Sequence, residues 1–200
     1  MQTQHPEKDE QIRQIKQLYV SLEANNLRPE LVNGKLIGYH GTSERNAKLI
    51  VQEQHIFETN EEAGLLGRGA YFFENEPFPG PEVAQAWAKY KRQYPAQLVV
   101  AARIGCERIW DLTLNSNRAY FQFVLDWFVD TVRRVDPDRI SLIRVNKVIK
   151  FILVTCPERE QIECVRWNGF RLDEIDVKSQ RGLVVRKAKC IEKMWIHAER

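Results

Sequence analysis

The sequence has few cysteines and no long apolar run. Its four cysteines, Cys106, Cys156, Cys164 and Cys190, are far apart and include no Cys-x-x-Cys pair. This spacing argues against a zinc site and predicts reduced, buried thiols. No stretch approaches the roughly 18 apolar residues that span a bilayer, and the polar N-terminus lacks the apolar segment of a secretory signal. We therefore expect a cytoplasmic protein with no metal site and no membrane contact.

A strong charge of either sign is also absent. The formal net charge is +3 over 200 residues. Residues 1–100 hold 11 Lys/Arg against 13 Asp/Glu, which leaves 19 against 14 in residues 101–200. The basic second half permits a nucleic-acid target, although a surplus of this size is also typical of a solvated surface. With 44% hydrophobic residues, the chain is long enough for one domain with a substantial core.

The most informative stretch begins with the segment YHGTS, Tyr39 to Ser43. It predicts the end of a strand that turns into a helix over Glu44 to about Gln52, because Gly41 frees the backbone and the hydroxyl residues after it can cap a helix. A histidine at such a corner is held rigidly, and its ring can donate or accept a hydrogen bond. We expect a flat polar ligand to bind there.

The second part of this stretch is a glycine-rich loop followed by a strand. Three glycines in GLLGRG, Gly64 to Gly69, are unfavourable in a helix or a strand and predict a mobile or tightly turned loop. The following AYFF, Ala70 to Phe73, strongly predicts a strand. The ring of Tyr71 can then stack on a ligand that His40 holds.

Together these segments resemble the first two motifs of the ADP-ribosyltransferases, the superfamily of the poly(ADP-ribose) polymerases and diphtheria toxin. The matching residues are YHGT at 39–42 and LGRGAYF at 66–72. The resemblance implies that His40 hydrogen-bonds the ribose of NAD, that Gly41 holds the nicotinamide amide through its backbone, and that Tyr71 stacks on the nicotinamide ring. It also implies further donor contacts at Thr42, Gly69, Ala70 and Phe72, and a loop over the donor from Asn60 to Gly69.

A third motif would supply a carboxylate, because the sugar becomes oxocarbenium-like as neutral nicotinamide leaves. A strand is predicted over Glu160 to Trp167, with Gln161 and Glu163 on one face. Gln161-x-Glu163 resembles the Gln/Glu-x-Glu signature of the toxin-type transferases, which implies that Glu163 is the catalytic carboxylate and that Gln161 recognises the target. Alignment with the polymerase-like branch instead places Gln161 at the glutamate position, and Glu160 stays a third candidate.

The rest of the chain alternates between helical and strand patterns. Helices are predicted over Asp9–Ala24, Pro81 to about Tyr94, and Asn117–Val135, and strands over Gln97–Ile104, Ile109–Leu114, Val184–Arg186 and Cys190–Ile196. A hairpin turn is predicted at Asn33-Gly34, and Ile140 to Lys150 is predicted as a helix that leads into a strand at Phe151–Val154. The predicted fold is α+β, an ADP-ribosyltransferase-like split antiparallel β-sandwich with flanking helices. An N-terminal helix over 1–30 is expected to pack on a catalytic domain over 31–200.

By this resemblance, the protein is expected to be an NAD-dependent mono-ADP-ribosyltransferase that transfers one ADP-ribose unit to a protein or a nucleic acid. NAD is the expected co-substrate. Small stand-alone members of the superfamily are often toxins or defence effectors, so an antitoxin or inhibitor protein is an expected partner. Two alternatives stay open: a catalytically silent module that binds NAD or ADP-ribose, and an NAD-dependent RNA 2′-phosphotransferase, for which the sequence does not reveal the phosphate-binding arginines.

Overall fold

The computed structural model describes residues 6–59 and 66–198. In chain order its elements are α1 (Pro6–Ala24), β1 (Leu31–Ser43), α2 (Glu44–Glu53), β2 (Ala70–Phe73), α3 (Gly80–Ala86), which continues in a π-helical turn (Trp87–Lys91), β3 (Gln97–Asp111), α4 (Asn115–Val135), α5 (Val145–Thr155), β4 (Cys164–Leu172), β5 (Val177–Val185) and β6 (Ile191–Ile196). The described residues also include three short 3-10 turns: Pro137–Leu142, Asp173–Ile175 and Ala188–Cys190.

The described residues fall into two compact units. A helical unit lies within Met1–Glu30 and Leu114–Arg159, and a strand unit lies within Leu31–Thr113 and Glu160–Arg200. All six strands of the described residues belong to the strand unit. The predicted division into 1–30 and 31–200 stays a prediction, and the helical unit joins the N-terminal segment to a second stretch of chain that begins at Leu114.

The helical unit is held together by apolar side chains of α1, α4 and α5. Leu18 of α1 is fully buried, and the Phe151 ring of α5 stacks on Trp127 of α4 with ring centroids 5.7 Å apart. The strand predicted at Phe151–Val154 is wrong, because these residues belong to α5. Val148, Ile149, Ile152 and Leu153 recur at helical spacing and are buried, so packing of one helix face outweighs their β-branched propensity.

No helix in the described ranges is long and apolar enough to cross a membrane.

Five strands of the strand unit close into a barrel. The strands pair in the order β1-β2-β5-β4-β3, and β3 pairs again with β1 along most of its length. β6 adds to β3 outside this ring. The β3–β4 pair is parallel and the other pairs are antiparallel. The predicted α+β class is therefore confirmed, while the finer prediction of a split antiparallel sandwich stays a prediction.

Alternation along the strands directs every second side chain into the barrel. Phe72 of β2, Ala102 of β3 and Leu183 of β5 belong to one buried apolar cluster, and the complete burial of each large side chain in it stabilises the fold by about 1.5–3 kcal/mol. The four cysteines are buried and free of disulfide bonds, as predicted. The hairpin predicted at Asn33-Gly34 is wrong, because β1 runs through this point with a shift in register against β3.

A buried group of charges joins β2, β3 and β4 inside the strand unit. The guanidinium of Arg166 donates to Glu74 at 2.8 Å and 2.5 Å, and to Asp111 at 3.1 Å. Asp111 also accepts from the hydroxyl of Thr113 at 2.7 Å. Both carboxylates are buried, so each is stabilised by hydrogen bonds to the guanidinium that offset its desolvation. We interpret this cluster as structural.

The end of α2 protects the outer edge of β6. Ser43 caps the start of this helix, where its hydroxyl accepts from the N–H of Asn46 at 3.3 Å. At the other end, Gln54 adopts a left-handed conformation. Its side-chain amide donates to the Met194 carbonyl at 2.9 Å and accepts from the Met194 N–H at 2.8 Å. Gln54 thus takes the place of a neighbouring strand at one position of an exposed sheet edge.

Replacement of Gln54 by alanine is expected to lower the free energy of unfolding by about 1–3 kcal/mol, because its two hydrogen bonds to β6, worth about 0.5–1.5 kcal/mol each, are lost together with a third to the Val51 carbonyl. Urea titration followed by circular dichroism measures this change. Gln52→Ala, an exposed position on the same helix, is the control and should change stability by less than about 0.5 kcal/mol. Equal unfolding midpoints for the two variants would show that the Gln54 amide does not stabilise β6.

Candidate functional site

A cleft of about 330 Å³ opens in the strand unit beside β1 and β2. This volume lies at the lower end of the about 300–1,000 Å³ that is usual for small-ligand sites. Polar and aromatic side chains line most of it. The lining residues are His40, Gly41, Thr42, Asn46, Leu49, Ile50, Ile56, Phe57, Thr59, Tyr71, Phe73, Trp87, Arg92 and Tyr94.

The cleft lies where β1 and β2 separate. In the described part of the chain these strands are joined at one pair, Tyr39 with Phe73. Continuation of that antiparallel register would set Gly41 opposite Tyr71. Instead, the ring of His40 spans the gap, and its Nδ1 lies 2.9 Å from the Tyr71 carbonyl oxygen. The structure thus brings the three principal residues of the predicted site together.

The backbone of Gly41 points into this gap. The N–H of Glu44 donates to Ala96 at 3.0 Å in line with the β1–β3 register. Hydrogen-bonded residues alternate along an antiparallel ladder, so His40 and Thr42 bond to β3 through their backbones. The N–H and C=O of Gly41 therefore face the opposite edge, toward β2. This orientation leaves a donor and an acceptor facing the space that a flat amide would occupy.

The hydrogen bond to Tyr71 fixes the protonation of the His40 ring. A carbonyl oxygen only accepts, so Nδ1 carries the proton and Nε2 of the neutral ring is an acceptor. Burial lowers the pKa of His40 below its ordinary value, against the opposing effect of the bond to Tyr71, and the positive charge of Arg92 lowers it further. The neutral ring is therefore favoured at pH 7, with Nε2 ready to accept a hydroxyl proton.

Tyr71 is held at both ends. Its carbonyl accepts from His40, and its phenol hydroxyl donates to the Gly67 carbonyl at 2.8 Å and accepts from the Leu66 N–H at 2.7 Å. Gly69, two residues before Tyr71, has a φ of +153°, and a Cβ added there would lie 2.7 Å from the Val185 carbonyl oxygen. The described end of the glycine-rich loop is thus tied to the Tyr71 ring, which lines the cleft.

If the cleft binds NAD, as the motif resemblance implies, Tyr71→Phe should weaken that binding about tenfold through loss of the two hydrogen bonds that orient the ring, each worth about 0.5–1.5 kcal/mol. Tyr71→Ala also removes the stacking surface, worth about 1–3 kcal/mol for a flat ring, and should weaken binding further. Titration calorimetry with NAD measures both variants. Phe72→Leu, on the same strand but facing the barrel core and not the cleft, controls for general repacking. If Tyr71→Phe binds NAD as the wild type does, the hydroxyl does not position the ring.

Arg92 gives the cleft a positive charge. Its guanidinium is exposed and makes no ion pair with any residue that the structure describes. A guanidinium presents a planar fork of donors that matches phosphate oxygens. Arg92 is therefore suited to an anionic group at the cleft.

Not every predicted donor contact lines the cleft. Thr42 does, and it is buried. Ala70 and Phe72 point into the barrel core, because Tyr71 and Phe73 occupy the opposite face of β2. Gly69 pairs with Thr59 at the rim through two backbone hydrogen bonds, 2.9 Å and 3.2 Å long. Of the loop predicted to cover the donor, residues 60–65 lie outside the described residues.

The predicted third motif lies elsewhere in the strand unit. The strand predicted over Glu160 to Trp167 is wrong in its first half, because β4 begins at Cys164. Gln161 is exposed and accepts from Arg108 at 2.9 Å, whereas Glu163 is buried, so the two do not share a face. Glu160 is also exposed. None of the three is among the residues that line the cleft, and the catalytic role of Glu163 stays a prediction.

Glu163 is fully engaged in local contacts. One carboxylate oxygen lies 2.6 Å from Lys189 Nζ, and the other accepts from the Glu107 N–H at 3.0 Å. The Lys189 ammonium, with the N–H of Glu107, holds the pKa of Glu163 below its ordinary value against the effect of burial. This carboxylate is therefore ionised at pH 7 and contributes to the joint between β3 and β4.

Several residues that line the cleft are not predicted by the sequence. Asn46 and Phe57 come from separate segments that meet only in the folded chain. Trp87 and Tyr94 carry a helical apolar pattern that indicates packing rather than a ligand site. Asn46 is the only one of these with a local signal, since it lies one helical turn after the capping Ser43.

Comparison with known proteins gives one distant relative. An uncharacterized protein of Methanocaldococcus jannaschii, MJ0359, is 28% identical over an alignment of 121 positions that covers 57% of this chain. The chain spans about half the length of that relative, 54% of it. No protein-family model matches the sequence. No solved structure matches it either.

Proposed function

We propose that this protein is an NAD-dependent mono-ADP-ribosyltransferase that transfers one ADP-ribose unit to a macromolecule. One observation carries the proposal: His40 and Tyr71 meet across the separation of β1 and β2 in a single cleft, joined by a 2.9 Å hydrogen bond. The backbone of Gly41 faces the same gap. These three residues are those that the motif resemblance assigns to the nicotinamide half of NAD.

The residues present fit such a donor. The Gly41 N–H and C=O bind the carboxamide, and the Tyr71 ring stacks on the pyridine plane. His40 Nε2 accepts from a ribose hydroxyl, while the Arg92 guanidinium binds the pyrophosphate. NAD supplies an ADP-ribosyl group whose leaving group, nicotinamide, departs as a neutral molecule. The protein's part is to hold the ribose rigidly, so that an acceptor approaches its C1′ in line with the bond that breaks.

The finer fold and the cellular role belong to the same proposal. We infer that the barrel corresponds to the split β-sandwich of the ADP-ribosyltransferases, and the early separation of β1 from β2 supports this. A role as a toxin or defence effector in the cytoplasm, restrained by an antitoxin or inhibitor protein, rests on the motif resemblance alone. The acceptor is a protein or a nucleic acid.

The test is transfer of label from NAD carrying a labelled adenylate phosphate into macromolecules of a cell extract, together with release of free nicotinamide. We expect label in the wild type and its loss in Tyr71→Ala. His55→Ala provides a matched control, because His55 is an exposed residue that does not line the cleft. Nuclease and protease treatment of the product then identifies the acceptor class. No label and no nicotinamide release with the wild type would refute the proposal.

A second candidate function is a module that binds NAD or ADP-ribose without turnover. The specific observation in its favour is that Glu163 contacts Lys189 and the Glu107 backbone and does not line the cleft. Calorimetry that shows NAD binding, combined with the absence of nicotinamide release, would favour this module. If Glu163→Gln stops release while the protein stays folded and binds NAD, the carboxylate is catalytic and the silent module is excluded.

A further inference from the structure

Three cations lie together on the outer surface of β1, β3 and β6. Ile37 of β1 pairs with Arg103 of β3, which pairs with Lys193 of β6. Lys35 lies two residues before Ile37 on the same face of β1. The opposite faces of these strands supply Leu36, Ala102 and Met194 to the core. The three cations therefore point away from the barrel and are exposed; we call Lys35, Arg103 and Lys193 the basic face.

This arrangement is unfavourable in the protein alone. Arg103 and Lys193 are directly opposite across neighbouring strands, where Cβ atoms are about 4.5–5.5 Å apart and like charges destabilise the sheet. None of the three cations forms an ion pair with a described residue. A carboxylate lies nearby, since Glu192 covers Gly105, the β3 partner of Lys35. The face keeps a surplus of positive charge, which suits a polyanion.

An aromatic ring accompanies the cations. Trp195 lies two residues after Lys193 on the outer face of β6 and is half-buried. A row of cations beside an indole ring matches the two needs of a single nucleic-acid strand, which are neutralised phosphates and a surface on which an unpaired base stacks. An acidic peptide would use the cations but not the ring. The combination favours nucleic acid.

We propose that the basic face, together with Trp195, binds single-stranded nucleic acid. The face lies on the β3 and β6 side of β1, whereas the cleft opens on the β2 side, so the two sites are separate. Binding at the basic face is independent of NAD. It therefore stands or falls apart from the proposed transferase activity, although a transferase with a nucleic-acid acceptor would use it to hold that acceptor.

Fluorescence anisotropy of labelled oligothymidylate, titrated with the full chain in the absence of NAD, tests the proposal. In single strands each neutralised phosphate contributes about 0.7 to the slope of log affinity against log salt, so Lys35→Gln, Arg103→Gln and Lys193→Gln together should reduce the slope by about 2. The same relation predicts an affinity loss on the order of 100-fold at about 0.1 M salt. Trp195→Ala should weaken binding about tenfold.

Two controls separate a specific face from general charge. Lys16→Gln, Arg134→Gln and Lys147→Gln together remove the same net charge from exposed helix positions and should leave affinity near that of the wild type. Glu192→Gln removes the carboxylate beside the basic face and should raise the affinity for oligothymidylate, whereas loss of the cations should lower it. All variants are at exposed positions apart from Trp195→Ala, whose melting temperature is measured in parallel.

The proposal is overturned if the basic-face variant binds as tightly as the wild type, or if the control variant loses as much affinity. It is also overturned if a poly-glutamate peptide binds as tightly as oligothymidylate and loses binding in the same variant, because the face would then serve an acidic protein partner. Loss of ADP-ribose transfer in cleft variants with oligonucleotide binding intact would leave the inference standing.

Discussion

Gly41→Ala is expected to disrupt the strand unit and the cleft together. A Cβ at this position would lie 1.7 Å from the Ala84 carbonyl oxygen and 2.5 Å from its carbonyl carbon, far inside van der Waals contact. Both atoms belong to the backbone of α3, so no side-chain rotation relieves the overlap. We expect the free energy of unfolding to fall by about 3 kcal/mol or more, the upper end for an overpacked core.

The same substitution should abolish NAD binding, because α3 must move and the chain that follows it carries Trp87 and Arg92 into the cleft. Gly34→Ala is the matched control on the same strand. There a Cβ meets only the flexible end of Ile109, at 3.2 Å, and stability should change by less than about 1 kcal/mol. Chemical unfolding and NAD calorimetry measure the pair. If Gly41→Ala matched Gly34→Ala, the close approach of β1 to α3 would not be a constraint.

The residues of the site that could be predicted are those whose pattern is contained in a few adjacent residues of the sequence. His40, Gly41 and Tyr71 belong to two short segments in which a glycine, a strand and their neighbours are read from adjacent residues, and the structure places these segments side by side. That Phe72 does not line the cleft could also have been predicted from the sequence. Side chains alternate in a strand, so the ring that stacks and the next ring along cannot face the same ligand.

The third motif, whose catalytic role stays a prediction, depends on information that is less local. The motif requires Gln161 and Glu163 to lie in a strand, but β4 begins only at Cys164. Before that point Glu163 is fixed by Lys189, which is distant in sequence. An ion pair between residues far apart in the chain produces no recurring spacing in the sequence. The sequence therefore could not distinguish a catalytic carboxylate from a structural one. The same holds for Arg92 and Phe57, whose place in the cleft depends on the packing of separate segments.

Secondary structure shows the same limit. The segment from Val145 to Thr155 combines β-branched residues with helical spacing. A strand is predicted over its second half, but the whole segment forms a helix. Four buried side chains on one helix face stabilise it by about 1.5–3 kcal/mol each, whereas the whole range of β-propensity is about 1 kcal/mol per residue. Burial therefore decides such segments, and burial is known only once the neighbouring helices are placed.

His40→Ala should lower the rate of nicotinamide release at least about 100-fold, because a ribose displaced by about 1 Å loses its alignment with the acceptor. The pH profile tests the mechanism more closely. Only the neutral ring accepts at Nε2, and burial holds the pKa of His40 below its ordinary value of about 6.5. Activity should therefore be complete at neutral pH and fall as the pH drops through the lowered pKa of this ring.

The same protonation acts on stability, with a sign that follows from linkage. Since the folded pKa lies below the unfolded value of about 6.5, the unfolded chain takes up the proton first, and stability falls as the pH drops below that value. His40→Gln keeps a side-chain donor and acceptor without this titration. This variant should retain part of the activity, and that activity should no longer fall at low pH through protonation of residue 40. His55→Ala should keep the wild-type activity and the wild-type fall at low pH. An unchanged fall at low pH in His40→Gln would show that another group controls the pH dependence.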